Sequence, residues 1–178
     1  MTSILGISGS LRAGSLHSEL LRLAAEELPG AATLTVWRRL GEVPPYDADA
    51  EDELPEPVAA LVAAAGDADA VLIASPEYNG SVPGQLKNAL DWLSRNASGL
   101  PLAGKPVLVI GGSTGQFGGV WAHGELRKVL GIVGARPLAE GLSVPRLDRA
   151  LADEPAAVRA QLQPVLAALV EASVPTVA

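Results

Sequence analysis

One short turn near the start of the chain, Gly9 to Ser15, contains hydroxyl, guanidinium and backbone hydrogen-bond donors. Ser10 and Ser15 offer hydroxyl groups, and Arg12 between them offers a planar guanidinium. A helical pattern begins at Leu16, and the first N–H groups of a helix are free to bind a ligand at the positive end of its dipole. This combination is typical of a phosphate site. A helix that is merely capped by Ser15 would show part of the same pattern.

A second polar stretch, SPEYNGSVPGQLKN at residues 75–88, follows the apolar run Ala70 to Ala74. Such a short, β-branched run is typical of a buried parallel strand. We expect a helix after the stretch, with Ser81 as its N-cap and Pro83 in its first turn. Ligands of open α/β sheets bind beside the carboxyl ends of strands, so the turn Pro76 to Gly80 is a second candidate site.

A third candidate is the glycine-rich segment Gly111 to Gly119, which follows the predicted strand Pro106 to Ile110. Its first five residues match the G-x-S-x-G nucleophile elbow around Ser113. His123 is the only histidine downstream, and no acid lies between it and the serine, so we interpret the match as a coincidence. We predict instead a ligand loop whose glycines let backbone N–H groups come close to a ligand. A mobile lid is the alternative.

Composition narrows the chemistry further. The net charge is −7 and the 13 lysines and arginines are scattered, which argues against a nucleic-acid partner. The chain has no cysteine, so disulfides, thiolate nucleophiles and iron–sulfur clusters are excluded. Any redox chemistry must therefore reside in a bound organic cofactor.

The acidic, proline-rich segment from residue 41 to 57 has no periodicity. We interpret it as a solvated surface loop, and expect no metal site, because its carboxylates lack the spacing of a calcium loop. No apolar run is long enough to span a membrane, and the N-terminus lacks a basic region. We expect a soluble, cytoplasmic protein with no membrane partner.

Short apolar strands alternate with helical patterns along the whole chain. The predicted strands are Ile4–Ser8, Thr33–Trp37, Ala70–Ala74, Pro106–Ile110 and Arg136–Val144. The predicted helices are Leu16–Leu28, Val58–Ala65, Gln85–Arg95, Val120–Val133 and Pro155–Val170, the last bent or delayed at Pro164. This alternation predicts a parallel sheet with right-handed crossovers, and thus one domain, residues 1–178, with three α/β/α layers.

Two of these motifs carry a family resemblance. GSLRAGS with His17, and then PEYNGSVPGQLKNALDW, resemble the two signatures of the NADPH-dependent FMN reductase family. VPPYDADAE and STGQFGG are similar to its intermediate segments, so the resemblance reaches about residue 145. It implies a flavodoxin-like fold with a five-stranded parallel sheet in the order 2-1-3-4-5.

The resemblance also implies the cofactor, FMN. The residues it implies for the FMN phosphate are Ser10, Arg12, Ser15, Leu16 and His17. Those it implies for the isoalloxazine ring are Pro76, Glu77, Tyr78, Asn79, Gly80 and, further away, Ser113. At His17 the family usually has asparagine. We hypothesise that a charged His17 contacts the phosphate, so that FMN affinity falls as pH rises through roughly 6.5. A surface histidine on the first helical turn is the alternative.

The implied activity is hydride transfer from NADPH or NADH to FMN, and then electron transfer to a small-molecule acceptor such as a quinone or free flavin. The flavin carries this chemistry, so no catalytic side chain is expected. We expect Glu77 to anchor backbone N–H groups or an interface rather than act as a base. A flavodoxin-type electron carrier and a non-enzymatic FMN-binding module are the alternative functions.

The family further implies a homodimer or homotetramer with the flavin near a subunit boundary. Trp92, beside the apolar stripe of its helix, fits an interface or the core. Tyr78 is a candidate for stacking near the ring or for contacting a partner subunit. Arg12, Arg127 or an arginine of a neighbouring subunit could meet the 2′-phosphate of NADPH, and the sequence does not choose among them.

Overall fold

Strands and helices alternate along the part of the chain that the computed structural model describes, residues 1–30, 32–95 and 99–174. The strands are β1 (Ser3–Ser8), β2 (Thr33–Trp37), β3 (Ala70–Ser75), β4 (Pro106–Gly112), β5 (Arg136–Pro137) and β6 (Leu142–Val144). The helices are α1 (Leu16–Glu27), α2 (Glu56–Asp67), α3 (Gly84–Leu93), α4 (Val120–Ile132), α5 (Leu147–Asp153) and α6 (Pro155–Ser173). Short 3-10 turns lie at Leu40–Glu42 and Ala48–Ala50.

The strands form one parallel sheet in the order β2-β1-β3-β4-β5, and β6 also pairs with β4. The predicted order 2-1-3-4-5 is therefore confirmed. The order reverses between β1 and β3, which places the carboxyl ends of these two strands side by side. In a fold of this kind, that edge is where a ligand is expected.

The predicted final strand is in fact two short strands. Along β4, Val107 pairs with Pro137 and Ile110 pairs with Leu142. Between these two pairs, two residues of β4 face four residues of the final segment, whose two extra residues bulge out of the ladder. Gly141 lies in this bulge, where a Cβ would stand 2.2 Å from a backbone oxygen of β4. A regular strand was the wrong prediction because the sequence pattern does not reveal the bulge.

Two hydrophobic clusters cover the two faces of the sheet. On β3, Val71 and Ile73 belong to the cluster with α2, α3 and α4. Ala70, Leu72 and Ala74 belong to the cluster with α1 and α6. This alternation follows from the period of two in a strand, and it confirms the three-layer arrangement.

Two predicted helix features differ in the structure. α3 begins at Gly84 with Pro83 as its flanking residue, and Ser81 is not its N-cap. The Ser81 hydroxyl instead donates to Glu125 Oε2 at 2.7 Å. α6 begins at Pro155 as predicted, but it runs without delay through Pro164.

The loop after β2 packs closely on α3. Trp92 is completely buried, and its Nε1–H donates to the Pro44 oxygen at 3.0 Å. Asn88 donates to the same oxygen at 2.8 Å and accepts from the Tyr46 N–H at 2.7 Å. Trp92 is therefore a core residue, and of the two alternatives the interface was wrong. The predicted solvated loop also contains a buried residue, Val43.

Three of the seven acids of this loop face a cation or a hydroxyl. Arg39 pairs with Glu42 and Glu56, and the Tyr46 hydroxyl donates to Glu51. Within the described residues, no three His, Cys, Asp or Glu side chains come together as a metal site. In the same ranges, no helix has the length and apolar character needed to cross a bilayer.

Candidate functional site

A cavity of about 280 Å³ opens at the edge of the sheet where β1, β3 and β4 end. We call it the central cavity. Its lining residues are Ser10, Arg12, Ser15, Leu16, His17, Pro76, Glu77, Tyr78, Gly112, Ser113 and Thr114. Three segments that are far apart in sequence thus line one cavity, because the carboxyl ends of neighbouring parallel strands lie at the same edge of the sheet.

The turn after β1 presents polar groups to this cavity. The Ser15 Oγ accepts from the His17 N–H at 3.2 Å and so caps α1. Because the oxygen accepts in this contact, the hydroxyl hydrogen of Ser15 is left for another partner. Arg12 is exposed and makes one long hydrogen bond, 3.3 Å, to the Gly14 oxygen. Ser15 therefore caps α1, and the Arg12 guanidinium and the Ser15 hydroxyl hydrogen are still available to an anion. Capping alone does not explain the polar residues of this turn.

His17 is buried, with 6% of its surface exposed, so the alternative of a surface histidine was wrong. Its Nε2 lies 3.1 Å from the Gly112 oxygen, which ties the turn after β1 to the loop after β4. Burial lowers the pKa of His17 to about 4, although the bond to Gly112 opposes this shift. A neutral ring must carry its proton on Nε2, since a carbonyl oxygen only accepts. The hypothesis that a charged His17 contacts the FMN phosphate stays a prediction.

The turn after β3 is a tight hairpin. The backbone groups of Tyr78 and Ser81 bond each other in both directions at 3.1 Å. Between them, Asn79 has φ 54° and Gly80 has φ 76°, the left-handed pair that a type I′ turn requires. Asn79 and Gly80 lie at the exposed tip, outside the lining of the central cavity. Asparagine and glycine are here because few other residues adopt this backbone conformation.

Glu77 holds two parts of the site together. Its Oε2 accepts from the backbone N–H groups of Trp121 and Ala122, both at 3.0 Å. These N–H groups belong to the first turn of α4, where a carboxylate is favoured by the helix dipole. The prediction that Glu77 anchors backbone N–H groups is confirmed.

The loop after β4 lines the cavity through Gly112, Ser113 and Thr114. The predicted ligand loop Gly111 to Gly119 contains all three residues, of which only Ser113 was predicted individually. The reason given for the glycines was incomplete. A Cβ on Gly111 would stand 2.1 Å from the Ser75 oxygen, and one on Gly112 would stand 2.5 Å from the Val144 oxygen. These glycines permit close packing between strands.

His123 does not face Ser113. Its Nε2 lies 3.0 Å from the Ser75 oxygen and its Nδ1 lies 2.7 Å from the Ser143 hydroxyl. Burial lowers the pKa of His123. The ring is a buried brace between β3 and β6, so the match to a nucleophile elbow is indeed a coincidence.

The sheet order, the two helical layers and the cavity at the reversal point define a flavodoxin-like fold. A solved structure agrees over nearly the full length: FerB from Paracoccus denitrificans, described as a flavoenzyme NAD(P)H:(acceptor) oxidoreductase. The two chains align with a TM-score of 0.86 and 31% identity, and the alignment covers 97% of each.

Sequence comparison identifies the family. The chain belongs to the NADPH-dependent FMN reductase family, whose model matches residues 2–146. It is 42% identical over 129 residues to a quinone reductase of Escherichia coli strain K12, covering 71% of this chain and 68% of the relative. It is 40% identical over 136 residues to an NAD(P)H-dependent FMN reductase of Pseudomonas aeruginosa, covering 76% and 72%.

Membership confirms the predicted class and cofactor. The protein is a flavin-dependent oxidoreductase that uses FMN, with a nicotinamide nucleotide as co-substrate. The comparisons therefore favour an enzyme over the electron carrier and the binding module.

Proposed function

We propose that the central cavity binds FMN, with the phosphate on the turn after β1 and the ring beside the turns after β3 and β4. One observation carries this proposal: anion-type donors from one turn and polar loops from two further strands line a single cavity. This cavity lies beside the point where the strand order reverses, the usual ligand position in such sheets.

The residues that line the central cavity fit FMN. Ser10 and Ser15 offer hydroxyls to a phosphate, and Arg12 offers a guanidinium. Nothing lies within 4 Å of the place where a Cβ of Gly14 would stand, so this side of the turn is open to a ligand. The first N–H groups of α1 add the positive end of a dipole. A flavin ring would be held by the segments 76–80 and 112–114, whose backbone N–H and C=O groups suit its polar edge.

Bound FMN supplies the redox chemistry, since it accepts a hydride from a nicotinamide and later reduces an acceptor. The side chains of this protein bind FMN and hold the surrounding turns in position. Glu77 fixes the turn after β3 against α4, and His17 fixes the turn after β1 against the loop after β4. We assign both as positioning residues, because Oε2 of Glu77 and Nε2 of His17 are already bonded within the protein.

We propose a small planar acceptor, such as a quinone. Several relatives are named quinone reductases, and FerB is described by the general term acceptor. The central cavity, about 280 Å³, is at the lower end of the range of small-molecule sites. We therefore expect nucleotide and acceptor to use the same open side of the flavin in turn.

We also propose that the protein is a homodimer or homotetramer. Tyr78, Phe117 and Trp121 are each about half exposed, at 51%, 52% and 55%. The rings of Phe117 and Trp121 lie 4.9 Å apart, centroid to centroid. Exposed aromatic side chains are enriched at subunit interfaces. The backbone of Trp121 is bonded to Glu77, so this aromatic surface adjoins the central cavity.

The oligomer is tested by Trp121→Glu, with Ile132→Glu at the far end of α4 as the matched control. Ile132 is even more exposed, at 75%. We expect light scattering after size exclusion to show monomers only for the first variant. An unchanged mass for Trp121→Glu would refute the proposed interface.

We propose that residues 1–178 form one FMN-binding domain, because both hydrophobic clusters pack on the same sheet. We propose a cytoplasmic location, because the co-substrate is a nicotinamide nucleotide of the cell interior.

The direct test uses protein reconstituted with FMN and measures nucleotide oxidation with and without a quinone. We expect quinone-dependent turnover, and a loss of FMN affinity of about tenfold or more in Arg12→Ala. The control is Arg149→Ala, because Arg149 is exposed and does not line the central cavity. FMN that binds but is reduced by neither nucleotide would favour the carrier or binding module. A failure to bind FMN would refute the site.

A further inference from the structure

A second cavity, of about 380 Å³, adjoins the central one on the side of β2. We call it the β2 cavity. Its polar and aromatic lining includes Ser10, Arg12, Ser18, Trp37, Arg38 and Arg39. Ser10 and Arg12 line both cavities, so the two spaces meet at the turn after β1. Its volume is within the range of small-molecule sites.

The β2 cavity is rich in positive charge on a protein that is acidic overall. Arg39 is held by Glu42 and Glu56, and Glu42 is the one carboxylate in the lining. Arg38 is exposed, and its guanidinium makes no hydrogen bond or ion pair with the described residues. Since Arg12 is assigned to the FMN phosphate, Arg38 is the guanidinium of this lining that is left to bind a second anion.

An aromatic face accompanies these charges. Trp37 is half-buried: it packs against the hydrophobic cluster on one side and lines the β2 cavity on the other. An aromatic side chain fixed in this way suits a nucleobase, which stacks on aromatic rings. Guanidinium groups beside such a surface suit a phosphate monoester, which they bind through paired hydrogen bonds.

We propose that the β2 cavity binds the 2′-phosphoadenosine half of NADPH, with the adenine on Trp37 and the 2′-phosphate on Arg38. The proposal rests on the proposed function, which places the nicotinamide half at the flavin in the central cavity. A dinucleotide joins its two halves by a pyrophosphate, so it can occupy two adjoining cavities at once. Arg38 is then the residue that selects NADPH over NADH, because NADH lacks the 2′-phosphate.

The kinetic test compares FMN-loaded wild type, Arg38→Gln and the control Arg149→Gln, with a quinone as acceptor. Glutamine removes the charge of Arg38 and keeps a polar side chain. We expect the ratio of kcat/KM for NADPH to kcat/KM for NADH to fall at least tenfold in Arg38→Gln, through KM for NADPH. The ratio should stay at the wild-type value in Arg149→Gln. An unchanged ratio in Arg38→Gln, or equal losses with both nucleotides, would overturn the proposal.

A binding test needs no turnover. Adenosine 2′-monophosphate is titrated calorimetrically into the FMN-loaded proteins, whose phosphate turn is already filled. We expect binding to wild type and Arg149→Gln, and affinity at least tenfold weaker in Arg38→Gln. Equal affinity in all three proteins, or displacement of FMN by the nucleotide, would overturn the proposal.

The two proposals fail in different ways. If the protein does not bind FMN, or if neither nucleotide reduces it, the proposed function is wrong. If FMN is reduced equally well by both nucleotides in wild type and in Arg38→Gln, only the β2 cavity has been assigned wrongly.

Discussion

Replacing His17 by asparagine should make the protein less sensitive to acid. In the folded protein the pKa of His17 is about 4, because burial disfavours the charged ring, and the nearby charges of His123 and Arg12 add to this effect. In the unfolded chain the pKa returns to roughly 6.5. The unfolded state therefore binds the extra proton first as pH falls, and stability drops between these two values.

The size of the effect follows from the shift. Each pKa unit corresponds to about 1.4 kcal/mol, so the full difference is roughly 3 kcal/mol. By pH 4.5, about 2.5 kcal/mol of it should already be lost. Carboxylates with lowered pKa, such as Asp69 and Glu125, also lose stabilisation as pH falls. His123 contributes in the same direction as His17. Only a comparison with a variant isolates the His17 contribution.

The assay is urea unfolding of the FMN-free wild type and His17→Asn from pH 7.5 to pH 4.5. We expect the variant to be less stable at neutral pH, since it loses the Nε2 bond to Gly112, which is worth about 1 kcal/mol or more. Between the two pH values, wild type should lose about 2.5 kcal/mol more than the variant. Equal losses in the two proteins would refute the assignment of His17 as a buried neutral ring.

Three further predictions concern the packing that supports the site. Glu77→Gln should lower the free energy of unfolding by about 1–2 kcal/mol, because a charged acceptor at the start of α4 is lost, and urea unfolding at neutral pH measures it. Trp92→Ala should cost about 3–5 kcal/mol, since a fully buried indole and its bond to the loop after β2 are removed; a loss under 1 kcal/mol would contradict the core assignment. Gly111→Ala should abolish the native thermal transition, as its Cβ would stand 2.1 Å from a β3 oxygen, whereas Gly124→Ala, with open space around it, should not.

Much of the fold could be read from local patterns. The short apolar runs gave β1, β3 and β4 within about one or two residues, because strands buried on both faces have continuous apolar sequences. β2, a partly exposed edge strand, was also predicted at its observed bounds, Thr33–Trp37. Helix α5 was missed, since seven residues are too few for a periodic pattern to be recognised. The break between β5 and β6 was missed because a bulge depends on the partner strand.

The candidate site divides in a similar way. Residue types and spacing were enough to predict the turn at Pro76 to Gly80 and the anchoring role of Glu77, since each depends on backbone preferences or charges of a short segment. The phosphate turn after β1 stays a prediction. Tertiary structure alone decided that Trp92 lies in the core. It also decided the state of His17, whose pKa is set by burial against a strand 95 residues away. A sequence lists the donors of a site, and their solvation and neighbours come only from chain folding.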